Sequence, residues 1–349
     1  MDKIALAVVG PGLIGNTHIR LIQENPACTL KAIVAPDNPH NYPKAAKANV
    51  PLYHTIPELL EREKLDGIII SSPSNFHIEQ AIICVNAGIP ALVEKPLATS
   101  YEDGLRLLQQ VKDRQAKLIV GHHRVHSPIM KTAMEIIRGG SLGSLVAITG
   151  AALLYKPSDY FQKGPWRKEI GGGPILINLI HEICNYRLLC GEIAAVQAIA
   201  SNRRRNYPVE DTVVINFEFK NGALGSFVLS DTAASSRSWE HSSGENPDFP
   251  CYPDEDCYTV SGTRGSLSIP TMRIRKFKDG TEGSWLQRLE EQTFSFVRAD
   301  PLAVQLEHFL NVIRGKEEPI VTAYEGLQNV KVIEAIRASI HNKTFVSLE

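Results

Sequence analysis

The chain lacks any concentration of charge: 37 Lys and Arg stand against 38 Asp and Glu over 349 residues, a net charge of −1. That balance argues against a nucleic-acid or other polyanion-binding surface. The one basic run, Arg203-Arg204-Arg205, is followed by Asn206 and Tyr207 rather than by more cations, and it reads as a solvated loop. Nothing approaches the roughly 18 consecutive apolar residues of a membrane span, so no membrane partner is expected. Internal repeats are missing too. The six cysteines (28, 84, 184, 190, 251, 257) show no metal-ligand spacing, and no metal is expected. Cys251 and Cys257 bracket Pro253-Asp254-Glu255-Asp256, a spacing open to a disulfide. With no signal peptide before the first strand, however, a reducing, cytoplasmic setting with free thiols is the expectation.

What is present begins almost at once. After Lys3, six apolar residues (4–9) lead straight into Gly10-x-Gly12-x-x-Gly15 and then into a helical pattern. Each glycine answers a steric need. Gly10 permits the tight strand-to-helix turn, Gly12 lets the backbone come against a pyrophosphate, and Gly15 lets the helix sit close on the strand. The N–H groups at the helix start, at Leu13, Ile14 and Gly15, then face the phosphates. The motif predicts a bound dinucleotide, with NAD or NADP as cofactor.

The length exceeds the usual single domain, so two are expected. In the first, placed at 1–121, strands read at 3–9, 29–35, 67–71, 90–93 and 117–120, and helices at 13–24, 43–48, 56–63, 75–87 and 100–114. This alternation predicts an α/β domain, a parallel sheet wrapped by helices. Ligands gather at the carboxyl ends of such strands, here 10–15, 35–38, 71–77, 94–96 and 121–124. The second of these decides between cofactors, because an acid there holds the adenosine 2′-OH. The usual acid position is Ala35, and Asp37 follows two residues later, past Pro36. Asp37 is either a ribose ligand or a solvated loop acid. No arginine stands nearby for a 2′-phosphate, although His40 and Lys44 do, so the residues lean towards NAD.

After residue 121 the pattern changes, and a second, α+β domain is placed at 122–349. A helix at 127–138 precedes a long strand at 144–155, a loop with Trp166-Arg167, the triplet Gly171-Gly172-Gly173 and a helix at 174–190. At 212–219, Val213, Ile215, Phe217 and Phe219 alternate with Thr212, Val214, Asn216 and Glu218, and Lys220-Asn221-Gly222 supplies a hairpin turn. The result is an open, mainly antiparallel sheet with one apolar face to bury against helices or a second subunit. Residues 235–256, rich in Ser, Pro, Glu and Asp, read as an excursion over the surface, from which Arg237 and Trp239 could reach a ligand.

Taken in order, Gly10-x-Gly12-Leu13-Ile14-Gly15-x-x-His18, Ser72-Pro73-x-x-x-His77, Glu94-Lys95-Pro96, Gly121-x-x-Arg124, the glycine triplet with His181, and Val209-Glu210-Asp211-Thr212 resemble the Gfo/Idh/MocA oxidoreductases. The resemblance covers nearly the whole chain. It implies an N-terminal Rossmann domain, a C-terminal α+β domain, and hydride exchange between a nicotinamide and a hydroxyl-bearing carbon of a sugar or cyclitol. It also implies a homodimer or homotetramer associating through the second domain's sheet, with the last helix packed back on the first domain. Two alternatives stay open: a redox-neutral lyase or glycoside-cleaving enzyme with tightly bound NAD, and a non-catalytic NAD(P)-sensing regulator.

Lys95 is the first catalytic candidate, placed at a strand's carboxyl end between Glu94 and the rigid Pro96. An ammonium there can bond the substrate hydroxyl, and a cationic ring with burial would lower its pKa. The resemblance assigns the same role. On the helix after the triplet, Asn178, His181 and Asn185 fall at i, i+3 and i+7 on one face; His181 is read as the second acid–base group and Asn178 as a substrate ligand. Relatives such as inositol dehydrogenase carry an aspartate four residues before this histidine, where this chain has Ile177. The carboxylate is missing, and the familiar substrates are in doubt. His123, Tyr155, Trp166 and Arg167 are further substrate candidates. Ser72, Pro73, Asn75, His77, Glu94, Lys95, Arg124 and Asp37 join the glycine loop as cofactor ligands, His18 is read as structural, and Glu210 and Asp211 as supports at a strand start.

Overall fold

A computed structural model describes residues 3–348. The chain divides into two compact units, Met1–His126 with Pro301–Val330, and Ser127–Asp300 with Lys331–Glu349.

In the first unit, strands β1 (Ile4–Val9), β2 (Cys28–Val34), β3 (Leu52–Tyr53), β4 (Gly67–Ile70), β5 (Ala91–Glu94) and β6 (Leu118–Gly121) alternate with helices. These helices are α1 (Leu13–Glu24), α2 (Tyr42–Ala48), α3 (Ile56–Arg62), α4 (His77–Asn86) and α5 (Tyr101–Arg114). The sheet order is β3-β2-β1-β4-β5-β6, all parallel. The order reverses between β1 and β4, which opens a crevice at their carboxyl ends. β4, β5 and β6 are buried along their whole length, as both-face coverage requires of continuous apolar runs. The two-residue β3 is not announced by periodicity; it is too short to carry a pattern.

The second unit opens with α6 (Pro128–Arg138) and continues through β7 (Leu145–Leu153), α7 (Ser158–Gln162), α8 (Ile180–Cys190), β8 (Ile193–Ser201), β9 (Thr212–Phe219) and β10 (Leu224–Ser230). It adds α9 (Trp239–Ser242), β11 (Tyr258–Gly262), β12 (Gly265–Ile269), β13 (Arg273–Lys276) and β14 (Glu290–Thr293). After it come α10 (Pro301–Ile313), α11 (Ala323–Asn342), which begins in the first unit and ends in the second, and β15 (Val346–Ser347). Among the described residues the nine strands run β14-β13-β12-β11-β7-β10-β9-β8-β15, antiparallel throughout except where β10 lies parallel to β7. On β9 the side chains of Val213, Ile215, Phe217 and Phe219 are buried and those between them are not. The β9–β10 hairpin turns at Gly222, whose φ of +86° suits glycine.

Three expectations for this unit need correction. The helix at 174–190 is two segments, a π-helical turn at Ile175–Leu179 followed by α8, so the arithmetic that put Asn178 and Asn185 on one stripe fails across the wider turn. Residues 235–256 are not simply surface: Trp239 is 4% exposed, Ser238 and Ser242 are buried, and the indole N–H donates to Glu245 Oε2 at 3.0 Å. Nor is the arginine run all solvated. Asp211 takes the N–H groups of Arg204 and Arg205 at 2.9 and 3.0 Å, which turns Arg205 inward against Asp231 (2.6 Å) and over the Phe161 ring (4.4 Å).

Candidate functional site

The glycine loop of the first unit has the shape its sequence demands. Gly10 has φ +82°, and a Cβ there would stand 2.6 Å from the Ser72 backbone; at Gly15 it would stand 2.1 Å from Gly10 O. Both positions are closed by the protein itself. A Cβ on Gly12, by contrast, meets nothing within 4 Å, so its backbone faces open space. No side chain caps α1, which leaves its first N–H groups for an anion. Leu13 is 87% exposed beside them. An open approach at Gly12 with an uncapped helix start is what a dinucleotide's pyrophosphate requires, and the residues present fit one.

Around this loop the strand ends converge. Ser71 Oγ donates to the carbonyls of Val9 and Gly10 at 2.8 and 2.9 Å and fixes the turn. Ser72 Oγ is taken by Gln80 Oε1 at 2.5 Å, while Pro73 and Asn75 are exposed at the start of the turn Ser74–Phe76. His77 spans two strand ends, with one ring nitrogen 2.8 Å from Ser72 O and the other 2.8 Å from Pro96 O. Burial pushes its pKa down against the pull of those carbonyls. At the end of β2, Asp37 is exposed and accepts from Tyr42 Oη at 2.7 Å. Lys44 donates to Pro11 O at 2.8 Å, so it braces the glycine loop.

The ends of β5 and β6 hold Glu94, Lys95, His123 and Arg124. Glu94 is buried; Oε1 meets His18 Nε2 at 2.8 Å and Oε2 accepts the Lys95 N–H at 3.2 Å. Gly121 leaves the carboxylate its space, since a Cβ there would come within 3.0 Å of Glu94 Cδ. Lys95 is half-buried. Burial, with the positive charges of Arg124 and Lys95, holds the His123 imidazole well below its usual range, so it is neutral. Arg124 is buried.

The second unit carries another polar group, around the π turn. Asn178 is half-buried there, and its Oδ1 accepts from Lys156 Nζ at 2.5 Å. His181 is buried on α8. Asn185 lies apart in the core, donating to Tyr258 Oη at 3.1 Å, while that hydroxyl donates to Glu182. Glu210 accepts the N–H of Ile175 at 2.9 Å and so starts the helix. Arg167 lies over the Tyr160 ring at 3.9 Å and donates to Tyr160 O at 2.5 Å, and Trp166 is exposed beside it. Tyr155 points away from this group: it lines a surface hollow with Arg205, Thr212 and Val228, on the opposite side of the strand from Lys156.

Lys156 is a residue that the sequence pattern did not single out. Its signal is the alternation that continues past the end of β7, where Ala152, Leu154 and Lys156 border one small cavity. It is 7% exposed, and burial pulls its pKa down to about 8 against the raising influence of Asp231 and Glu240.

Residues 4–122 match the Gfo/Idh/MocA family model described as an oxidoreductase NAD-binding Rossmann fold, and residues 134–348 match the model of the C-terminal alpha/beta domain of the same oxidoreductases. The myo-inositol 2-dehydrogenase of Thermotoga maritima is 24% identical over 99% of this chain and 98% of its own length. The scyllo-inositol 2-dehydrogenase (NAD+) of Bacillus subtilis is 25% identical over 99% and 97%. Among solved structures, the WlbA dehydrogenase from Bordetella pertussis, in complex with NADH and UDP-GlcNAcA, superposes with a TM-score of 0.78 at 23% identity, covering 100% of this chain and 99% of that one.

Proposed function

The chain belongs to the Gfo/Idh/MocA oxidoreductase family, and from that premise we propose that it moves a hydride between a nicotinamide dinucleotide and a secondary alcohol, or its ketone, on a sugar, cyclitol or related polyhydroxylated molecule. The observation that carries the reading is the cradle at Gly12, open to a pyrophosphate, on the same sheet as Lys95. Relatives named as inositol, levoglucosan and anhydrofructose dehydrogenases or reductases support the substrate class. Neither the redox-neutral nor the regulatory alternative is favoured by any of them. Bound NAD supplies the hydride acceptor and a positive ring.

The Lys95 amine takes the hydroxyl proton during oxidation and returns it during reduction. Glu94 holds the lysine's own backbone N–H, and His18 holds Glu94, so the amine starts from a fixed strand end. Neutral His123 donates or accepts a hydrogen bond beside Lys95 without adding a repelling charge. His181 serves as the second acid–base group and Asn178 binds substrate. With Ile177 in place of a carboxylate, His181 has no acid four residues before it, and the heavier share of proton transfer falls to Lys95. Asp37 holds the ribose and selects NAD. The protein acts in the cytoplasm as a homodimer or homotetramer joined through the nine-stranded sheet.

The test is a screen of sugars, cyclitols and cyclic ketones with NAD and NADP in parallel, followed by nicotinamide absorbance. Lys95→Ala is expected to lose about 100-fold or more in turnover at saturating cofactor, the usual worth of a positioned acid–base group. Undiminished turnover by that variant would overturn the mechanism.

A further inference from the structure

We propose that His77 is a positioning residue that takes up a second proton when the dinucleotide binds, and that as an imidazolium it ties the end of β4 to the strand end that carries Lys95. The inference rests on the cofactor and Lys95 roles read above and names the residue that couples them.

The ring's two partners carry the argument. A neutral imidazole has one N–H and one bare nitrogen, whereas a carbonyl oxygen can only accept. Both ring nitrogens of His77 face carbonyls at 2.8 Å, Nδ1 that of Pro96 and Nε2 that of Ser72. One proton satisfies one of these contacts and leaves lone pair against lone pair at the other; two protons satisfy both. Turning the ring over would put carbon where each nitrogen stands and lose both bonds. The ring is 1% exposed, so water does not stand in for either partner. A slot of this shape suits the doubly protonated form.

The surroundings withhold that proton from the free chain. Burial is the largest influence and lowers the ring's pKa, and the Lys95 charge acts in the same sense; the Pro96 and Ser72 carbonyls and the Glu94 carboxylate act against them. Glu94 shares its charge with His18 of α1, and Glu79, on the ring's own helix, is turned outward to Arg106. His77 also opens α4, and a helix start is itself positive. What is missing is negative charge, which a bound pyrophosphate supplies. Ser72, whose carbonyl the ring holds, abuts the glycine loop, since a Cβ on Gly10 would stand 2.6 Å from its backbone. With that charge in place the ring's pKa rises, and a proton passes from solvent to the bare nitrogen. Lys95 is then held on both sides, its own N–H by Glu94 Oε2 at 3.2 Å and the next residue's carbonyl by His77.

The experiment titrates the full chain with NAD, and with ADP-ribose, which carries the pyrophosphate without the nicotinamide, by calorimetry in two buffers of different ionisation heat. Because the ring holds its second proton more tightly in the complex, uptake occurs between the free and bound pKa values, and affinity falls as pH rises through that window. Wild type is expected to take up about half a proton or more per ADP-ribose between pH 6 and 7, with Kd rising about threefold or more by pH 8. His77→Gln, which has no proton to take up, should show neither. Should that variant fail to fold, NMR of the wild-type chain decides. At pH 7 the ring is expected to show one bare nitrogen when free and two N–H groups in the ADP-ribose complex, with the carbonyl carbons of Ser72 and Pro96 shifting along the same titration. No uptake by wild type, uptake retained in a folded His77→Gln, a nitrogen still bare in the complex, or carbonyl carbons that ignore the titration would overturn the proposal while the dinucleotide reading stands. Failure of wild type to bind either ligand would sink that reading, and this one with it.

Discussion

His18 on α1 meets Glu94 at the end of β5 through a 2.8 Å contact between Nε2 and Oε1, with the two side chains 1% and 6% exposed. One buried link thus joins the helix that receives the pyrophosphate to the residue that precedes Lys95. Because Glu94 Oε2 also takes the Lys95 N–H, the carboxylate has no accepting oxygen left uncommitted. It acts as an internal strut.

Removing the strut should show in both stability and catalysis. Glu94→Ala leaves the His18 ring buried against a space, and an unmatched buried polar group costs about 1–3 kcal/mol. Chemical unfolding is expected to report a loss of that size. Glu94→Gln keeps an oxygen and the volume, so it should lose clearly less stability; equal losses in the two variants would show that packing, not the contact with His18, holds the strand end.

The glycine loop allows a sharper contrast. Gly12→Ala adds a Cβ that meets no protein atom within 4 Å, so the unfolding curve should be unchanged while NAD affinity falls by about tenfold or more, because the methyl occupies the phosphate's approach. Gly15→Ala would drive its Cβ to 2.1 Å from Gly10 O, and the helix must shift. Here the fold itself is expected to weaken. Titration with NAD beside thermal unfolding distinguishes the two; a Gly12→Ala protein with wild-type affinity would place the pyrophosphate elsewhere.

How much of this is legible in the sequence follows from the range of each interaction. The first unit as far as Gly121 is largely legible, since short apolar strands between helices declare themselves locally, and β1, α1 and α5 fall within a residue of their expected limits; Pro301–Val330, which also belongs to it, reads as part of the second domain because nothing local marks the chain's return. The glycine spacing is equally plain. The π turn is not, because a helical apolar pattern at 174–190 does not reveal one wider turn. Lys156 and Asn178 are 22 residues apart and meet only once the chain has folded, and Trp239 reads as exposed because its neighbours are polar, yet Glu245 and the core claim it. Pairings set by tertiary packing leave little trace in a single sequence.

Asp37 provides a test of cofactor choice. Its carboxylate is exposed at the end of β2 and shares a 2.7 Å hydrogen bond with Tyr42 Oη. A carboxylate that bonds the ribose also repels a 2′-phosphate. Asp37→Ala is therefore expected to lower NAD affinity by about 1–2 kcal/mol and to bring NADP close to parity. Unchanged affinities for both would make Asp37 a solvated loop acid.

Acid stability provides the last prediction, and it turns on His126. The ring is buried, with its centroid 5.0 Å from that of His308 and the two planes tilted by 42°. His308 in turn has its Nδ1 on Glu317 at 2.5 Å and accepts the Ile320 N–H on Nε2 at 3.2 Å. Burial first, and the neighbouring His308 second, push His126 down to about 3. An unfolded histidine titrates near 6.5, so between those values the unfolded chain binds the extra proton and the native one does not. The contribution of His126 is fully present above about pH 6.5 and is lost as pH falls towards 3, by about 1.4 kcal/mol for each unit of the separation. Unfolding measured from pH 7 to 4 should show wild type losing stability faster than His126→Gln, which has no proton to take up. Parallel curves for the two proteins would mean that His126 takes up its proton in the native chain over the same pH range as in the unfolded one, and that its burial beside His308 costs the cation nothing.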